Sequence, residues 1–296
     1  TRASVWKHIK NLKDLGYEIK GVSRKGYKLI SSPDIIIPEE ISQTLNTKFI
    51  GREIKYFQEI DSTNNFAKTL DESTPDGTLI VAEKQTLGKG RLGRQWTSPK
   101  EGLWFSLFLT PKIDPINASK LTQVAAAALV KVFRDMNIKA EIKWPNDIVL
   151  NKKKICGILT EMSAEIDYIN HVVIGVGINV NTESFPEEIQ KTATSLAIET
   201  GKKWKRPDLA AAVMRYFENY YNMFAEAQDL KPLQERYNRL LVNKDREIQV
   251  LEPGHEFGGT ALGINETGEL IVRKTDGSIE EIYAGEVSVR GIYGYV

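Results

Sequence analysis

Seven consecutive residues, Gly88-Lys89-Gly90-Arg91-Leu92-Gly93-Arg94, set three cations among three glycines. A backbone without Cβ atoms can approach a phosphate closely, and cations stabilise the charge that develops as an acyl phosphate forms. The string contains Gly-x-Gly-x-x-Gly, but a dinucleotide-binding loop of that pattern opens a helix directly. Here the chain continues as Gln95-Trp96-Thr97-Ser98-Pro99-Lys100-Glu101-Gly102, which cannot start one, and the Gly-Lys-Ser/Thr ending of a P-loop is missing. What remains is a flexible cationic loop after a strand. A surface turn with incidental charges is the other reading of the same residues.

Four further stretches carry reactive side chains. Lys143-Trp144-Pro145-Asn146-Asp147 presents a cation, an aromatic ring and a carboxylate in one short turn, although Pro-Asn-Asp is turn chemistry in any protein. Lys152-Lys153-Lys154 precedes Ile155-Cys156-Gly157 and is either a cation cluster or an ordinary polar turn. Gly175-Val176-Gly177-Ile178-Asn179 reads as a buried strand whose glycines permit close packing and whose final amide could read a base edge. Asp61-Ser62-Thr63-Asn64 would cap a helix starting at Asn64. Capping accounts for one of those side chains and does not require all four.

The elements that must hold these residues follow from periodicity. Strands are expected at Lys55–Glu59, Thr78–Lys84, Leu103–Leu109, Ala140–Trp144, Ile148–Leu150, Ile155–Met162 and Val172–Val180. Helices are expected at Asn64–Leu70, Ala118–Asn137, Pro207–Ala227 and Leu230–Leu241. Strands mostly follow one another, with helices between groups of them, which argues α+β rather than a doubly wound parallel sheet. From about Arg246 the chain becomes short strands divided by Glu252-Pro253-Gly254, Asn265-Glu266-Thr267-Gly268 and Asp276-Gly277, the pattern of a small all-β barrel.

The first residues differ from the rest in charge. The 296-residue chain carries a formal net charge of +1, yet residues 1–28 hold eight basic residues against two acids, a local +6 that leaves −5 elsewhere. Such asymmetry points to a polyanion at one end, or to a solvated basic surface. Val5, Ile9 and Leu12 keep helical spacing up to Gly16, and Tyr17–Val22 and Tyr27–Ile30 read as a hairpin around Ser23-Arg24-Lys25-Gly26. A basic helix followed by a basic hairpin reads as the second half of a winged helix-turn-helix. Arg2, Ser4, Lys7, Lys10, Arg24 and Lys25 are its candidate DNA contacts; a small structural cap is the alternative. The chain begins at Thr1 inside this helix, so upstream residues are expected to be missing. Ser31-Ser32-Pro33 reads as a linker.

With 41% hydrophobic residues the composition is that of a globular protein with a core. The single cysteine, Cys156, rules out an intrachain disulfide and reads as a partly buried strand residue, which fits a reducing cytosol. The longest apolar stretch, around Val124–Val130, is far short of the roughly 20 residues of a membrane span.

Together and in this order the motifs resemble one family, the bacterial biotin–protein ligases that double as repressors of biotin synthesis genes. The resemblance begins at Val5-Trp6-Lys7-His8-Ile9 and Lys25-Gly26-Tyr27. It continues through Ser62-Thr63-Asn64, Gln85, the Gly88–Arg94 loop, Lys143–Asp147, Lys154 with Gly157, and Gly175–Asn179, to Gly285-Glu286 and Arg290. It implies an incomplete winged helix-turn-helix over residues 1–32, a mixed-sheet catalytic domain over 33–243 and an SH3-like barrel over 244–296.

The activity implied is formation of biotinyl-5′-adenylate and pyrophosphate from biotin and ATP, then transfer of biotin to a lysine of a carboxylase carrier domain. Mg²⁺ is expected to accompany ATP, with no protein metal site. By resemblance, Ser62, Thr63, Asn64, Gln85, Lys89, Gly90, Arg91 and Lys154 hold biotin. Lys89, Arg91, Arg94, Trp96, Asn179 and Arg290 hold the nucleotide, with Trp96 on adenine and Asn179 reading it. Arg91, Lys154, Asp147 and Lys143 form the catalytic set, with Lys154 acting as a cation and Asp147 orienting the acceptor amine. Lys89 stands where the best-known relatives have Arg, which keeps the charge but loses bidentate geometry. The family further implies a cytoplasmic homodimer, favoured by the bound adenylate, on operator DNA. A lipoate or octanoate transferase and a biotin-sensing repressor without ligase activity are the rival readings; the intact loop ahead of Trp96 argues against the first and Arg91, Asp147 and Lys154 against the second.

Overall fold

The computed structural model describes residues 2–165, 168–252, 254–284, 288–291 and 295–296. Gly285 and Glu286, which carry part of the family resemblance, lie outside the described residues. Residues 1–35 form one compact unit and residues 36–296 another.

In the first unit, α1 (Arg2–Asp14) precedes an antiparallel hairpin, β1 (Glu18–Val22) and β2 (Gly26–Ser31). Gly16, at φ 95°, ends the helix in a conformation that costs glycine nothing. The hairpin turn needs positive φ at Arg24 and Gly26, which is why the expected Ser23–Gly26 turn forms where it does. Arg2, Ser4, Lys7 and Lys10 are exposed along α1, and Arg24 and Lys25 are exposed at the hairpin tip.

The second unit is built on a seven-stranded mixed sheet of β3 (Ile54–Phe57), β4 (Thr78–Ala82), β5 (Leu103–Leu109), β6 (Glu141–Lys143), β7 (Asp147–Leu150), β8 (Lys153–Ala164) and β9 (Ile169–Ile178). The order is β3-β4-β5-β9-β8-β7-β6, and only β3–β4 is parallel, so the α+β expectation holds. Alternation along β5 assigns the two faces. Leu103, Phe105, Leu107 and Leu109 join the main core with α4 (Leu121–Asp135) and α6 (Arg206–Ala227), while Phe108 packs with Ala67 of α3 (Thr63–Ala67) on the other. One face is thus sealed by long helices. The other carries one short helix and is left to the functional side chains.

Two helices are bounded differently from the sequence expectation and two more were not expected, each for a local reason. The helix expected at Asn64–Leu70 closes at Ala67 and tightens into i→i−3 turns, with Thr69 N–H donating to Phe66 O and Leu70 N–H to Ala67 O. The expected Ala118–Asn137 helix begins as a 3₁₀ turn over Pro115–Lys120. Two short helices carry too few turns to show periodicity: α2 (Pro38–Thr44), started by Pro38, and α5 (Leu196–Thr200), capped by Ser195 Oγ accepting from Ile198 N–H at 3.1 Å. Cys156 is fully rather than partly buried, and burial pushes its thiol well above the usual range, so it is no nucleophile.

After α7 (Lys231–Leu240) come β10 (Arg246–Leu251), β11 (Phe257–Ile264), β12 (Leu270–Lys274), β13 (Ile279–Ile282) and β14 (Ser288–Gly291), an antiparallel sheet in the order β13-β12-β11-β10-β14. It is fastened to the larger sheet by side chains. Trp144 Nε1 donates to Gly268 O at 3.2 Å, and Asn238 Nδ2 and Gln234 Nε2 of α7 donate to Ile264 O at 3.0 and 2.9 Å. Among the described residues no helix is long and apolar enough to cross a membrane.

Candidate active site

Strand register lines up the chemistry on the open face of the large sheet. Lys143 pairs with Asp147, Asp147 with Gly157, Gly157 with Gly177, and Gly177 with Trp104, a row across five strands. The glycines at the middle of that row make a ledge. A Cβ at Gly157 would come within 2.8 Å of the Trp96 ring and one at Gly177 within 2.6 Å of Trp96 Nε1, so the indole packs this close to the strands only because both are glycine. Trp96 also meets Trp104 edge to face, with centroids 6.4 Å apart, and its buried Nε1 has no partner among the described residues.

A cavity of about 550 Å³ opens over this row. Among the described residues six basic side chains line it, Lys89, Arg91, Arg94, Lys143, Lys154 and Arg290, against one carboxylate, Asp147. The loop that supplies the first three folds back on itself: Gly90 N–H donates to Arg94 O at 2.7 Å and Trp96 N–H to Gly88 O at 2.8 Å. A 3₁₀ turn at Arg91–Gly93 forms its tip, and no α-helix follows, so the rejection of a dinucleotide loop stands.

The charges are graded by burial. Lys154 Nζ contacts Asp147 Oδ1 at 2.5 Å and lies 4.9 Å from the Trp96 ring centroid. Tyr295 OH donates to Asp147 Oδ2. Burial pushes the Asp147 carboxyl upward, but Lys154 and Lys143 outweigh it and hold the group below its ordinary range, ionised. Lys143, 2% exposed, is brought down to about 7, chiefly by desolvation and against the pull of Asp147. Its Nζ donates to Val289 O at 2.9 Å. Burial also lowers the Arg91 guanidinium, which donates to Asn146 Oδ1 at 3.1 Å and to Ala284 O at 2.9 Å.

A second group of cavity residues, Ser62, Thr63, Asn64 and Gln85, is neutral and held by hydrogen bonds. Gln85 Oε1 accepts from Thr63 N–H at 2.8 Å and from Thr63 Oγ at 3.1 Å, while its Nε2 donates to Ser98 Oγ at 2.9 Å. Ser62 caps α3 through Asn65 N–H. Asn64 donates to Glu161 Oε2 at 2.8 Å, and its Oδ1 stands 2.6 Å from Ser106 Oγ. Asn179 Nδ2 donates to Thr194 O at 3.0 Å.

Every residue expected for biotin or the nucleotide, and every expected catalytic residue, therefore lines this one cavity. Ser106, Glu161 and Tyr295 were not anticipated. Ser106 had a signal, being the one polar residue in the apolar run Leu103–Leu109 and wholly buried there. Glu161 and Tyr295 had none, since their partners Asn64 and Asp147 are 97 and 148 residues away.

The profile of the biotin/lipoate A/B protein ligase family matches residues 56–179, and that of the biotin protein ligase C terminal domain matches residues 245–290. The chain is 38% identical to the bifunctional ligase/repressor BirA of Bacillus spizizenii, covering 98% of this chain and 90% of that protein. It is 32% identical to BirA of Escherichia coli K12, covering 98% and 89%. Among solved structures, the biotin protein ligase of Aquifex aeolicus in complex with biotin and ATP superposes with a TM-score of 0.73 at 31% identity, covering 81% of this chain and 99% of that one.

The depressed Lys143 has a consequence for stability. Between about pH 7 and the unfolded value of 10.5 the unfolded chain holds a proton that the folded chain has released, so stability rises with pH across that window. Chemical denaturation should show the wild type gaining on Lys143→Met from pH 7 upward, by at most about 1.4 kcal/mol per pH unit. Parallel pH dependences for the two proteins would refute the assignment.

Proposed function

The chain belongs to the biotin/lipoate A/B protein ligase family, and we propose that it is an ATP-dependent biotin–protein ligase that also represses transcription in response to biotin. The observation that carries the reading is the cavity in which the described residues place six basic side chains and one carboxylate together with a neutral hydrogen-bonding group. Biotin needs both. Its ureido ring takes donors and acceptors, and its carboxylate must reach the α-phosphate of ATP against like charge.

In the first step a biotin carboxylate oxygen attacks the α-phosphorus and pyrophosphate leaves with the electron pair. Lys154, Arg91, Lys89 and Arg94 offset the charge gathered there. Ser62, Thr63, Gln85 and Gly90 take the ureido end, with Asn64 holding Thr63 through Ser106. Trp96 and Asn179 receive the adenine, and Arg290 approaches the nucleotide from the C-terminal sheet. Mg²⁺ enters with ATP as part of the substrate.

In the second step the amine of a carrier lysine attacks the acyl carbon, the bond to the phosphate oxygen breaks and AMP leaves. That amine is protonated in water, with a reference pKa of about 10.4. Asp147, kept ionised by its lysines, accepts its hydrogen bond and orients it. Lys143 contributes as a buried group whose charge is nearly balanced between its two states.

We assign residues 1–32 to a winged helix-turn-helix, 33–243 to catalysis and 244–296 to an SH3-like barrel. The exposed cations of α1 and the β1–β2 turn support operator binding through phosphates, and the two BirA relatives are named as repressors. The acceptor is the carrier domain of an acyl-CoA carboxylase; a relative from Paracoccus denitrificans is named biotin–[acetyl-CoA-carboxylase] ligase. The operator-binding form is a homodimer favoured by the adenylate, and sedimentation should show stronger self-association with a biotinyl-adenylate analogue. An unchanged monomer would refute that part.

The direct test is pyrophosphate release from Mg-ATP with biotin, lipoate or neither. Release that depends on biotin, followed by modification of a carrier domain, is expected. Release with lipoate instead would make the protein a lipoate ligase, and tight biotin binding without release would make it a sensor.

A further inference from the structure

Tyr295 lies after β14 and takes no part in the steps above, yet it closes the charge cluster. Its hydroxyl donates to Asp147 Oδ2, the oxygen that Lys154 leaves open by sitting on Oδ1. Its ring meets Lys143 Nζ at 4.4 Å from the centroid and Arg290 Cζ at 5.2 Å. Burial, followed by the charge of Asp147, pushes the phenol far above its ordinary range, so the hydroxyl keeps its proton and remains a donor at any working pH.

A carboxylate held at one oxygen can still turn about its terminal torsion, which is broad and roughly two-fold. Donors on both oxygens fix its plane. An amine approaching such a group meets a lone pair in a set direction, and a hydrogen bond of the wrong direction is weak.

We propose that Tyr295 is a positioning residue for transfer to the acceptor lysine: it fixes the plane of Asp147 toward the incoming amine and seats Lys143 against its ring. The inference rests on the proposed role of Asp147 in the transfer step. Tyr295 touches neither the acyl carbon nor the leaving AMP. The amine nitrogen bonds to the acyl carbon, the carbon–oxygen bond to AMP breaks with its electron pair staying on the AMP phosphate, and the amine proton, hydrogen-bonded to Asp147, is released to water.

The test is Tyr295→Phe, which keeps the ring over Lys143 and removes the hydroxyl. Single-turnover transfer from preformed biotinyl-adenylate to a carrier domain is followed from about pH 6 to about pH 9, beside biotin-dependent pyrophosphate release. Transfer should fall about tenfold, the scale of one charge-assisted hydrogen bond, and by more than adenylate formation falls. The acid limb of the transfer profile should also move to higher pH, because a donor that lowers the Asp147 carboxyl is gone. An unchanged rate and profile would overturn the proposal, and so would faster transfer, which would make Tyr295 a plug. If the wild-type enzyme releases no pyrophosphate with biotin, the ligase reading falls and this inference with it. Wild-type turnover with an unaffected Tyr295→Phe removes this inference alone.

Discussion

A carboxylate with almost no water around it is tolerable only where cations stand close, and Asp147 is 8% exposed. The structure around it follows from that constraint. The β6–β7 hairpin places Lys143 opposite Asp147 in register, and β8 returns to put Lys154 on the same carboxylate. The large sheet keeps one face clear of long helices, so this cluster opens into a cavity rather than a core. Among the described residues, five cations and the half-charged Lys143 about one anion leave the site with an unbalanced positive field, strengthened by its poor hydration. An anionic ligand is what such a field lacks, and joining two anions is the chemistry it favours.

The C-terminal sheet belongs to this arrangement. Its backbone carbonyls take the polar hydrogens that burial would otherwise strand: Val289 O accepts from Lys143, Ala284 O from Arg91 and Gly268 O from Trp144. It also contributes Arg290 to the cavity. A small sheet with modest packing of its own thereby sets the position of the side chains on which the larger sheet depends.

Much of the site was legible in the sequence because its residues come as contiguous motifs. The Gly88–Arg94 loop and Lys143–Asp147 are each one turn of backbone, and turn chemistry is local. The long strands and helices were legible for the same reason, their periodicity running over many residues. What escaped was non-local or short. The links from Ser106 to Asn64, Glu161 to Asn64 and Tyr295 to Asp147 join distant strands, and no spacing along the chain records them. The composition change near Arg246 marked a new element without showing that it closes the cavity. Asn64 lines the cavity as expected, and its amide is held there by Glu161 and Ser106, which the sequence did not show.

If the positive field at Asp147 drives the chemistry, the cation nearest that carboxylate should control the step in which charge builds up. The deciding measurement is single-turnover biotinyl-adenylate formation by Lys154→Gln, with biotin binding measured alongside. The account predicts a rate lower by roughly a hundredfold, the cost of removing one preorganised stabilising group. Binding of biotin should be weakened much less than the rate. Adenylate formation at the wild-type rate would contradict the account, because the ion pair at the centre of the site would then be structural only.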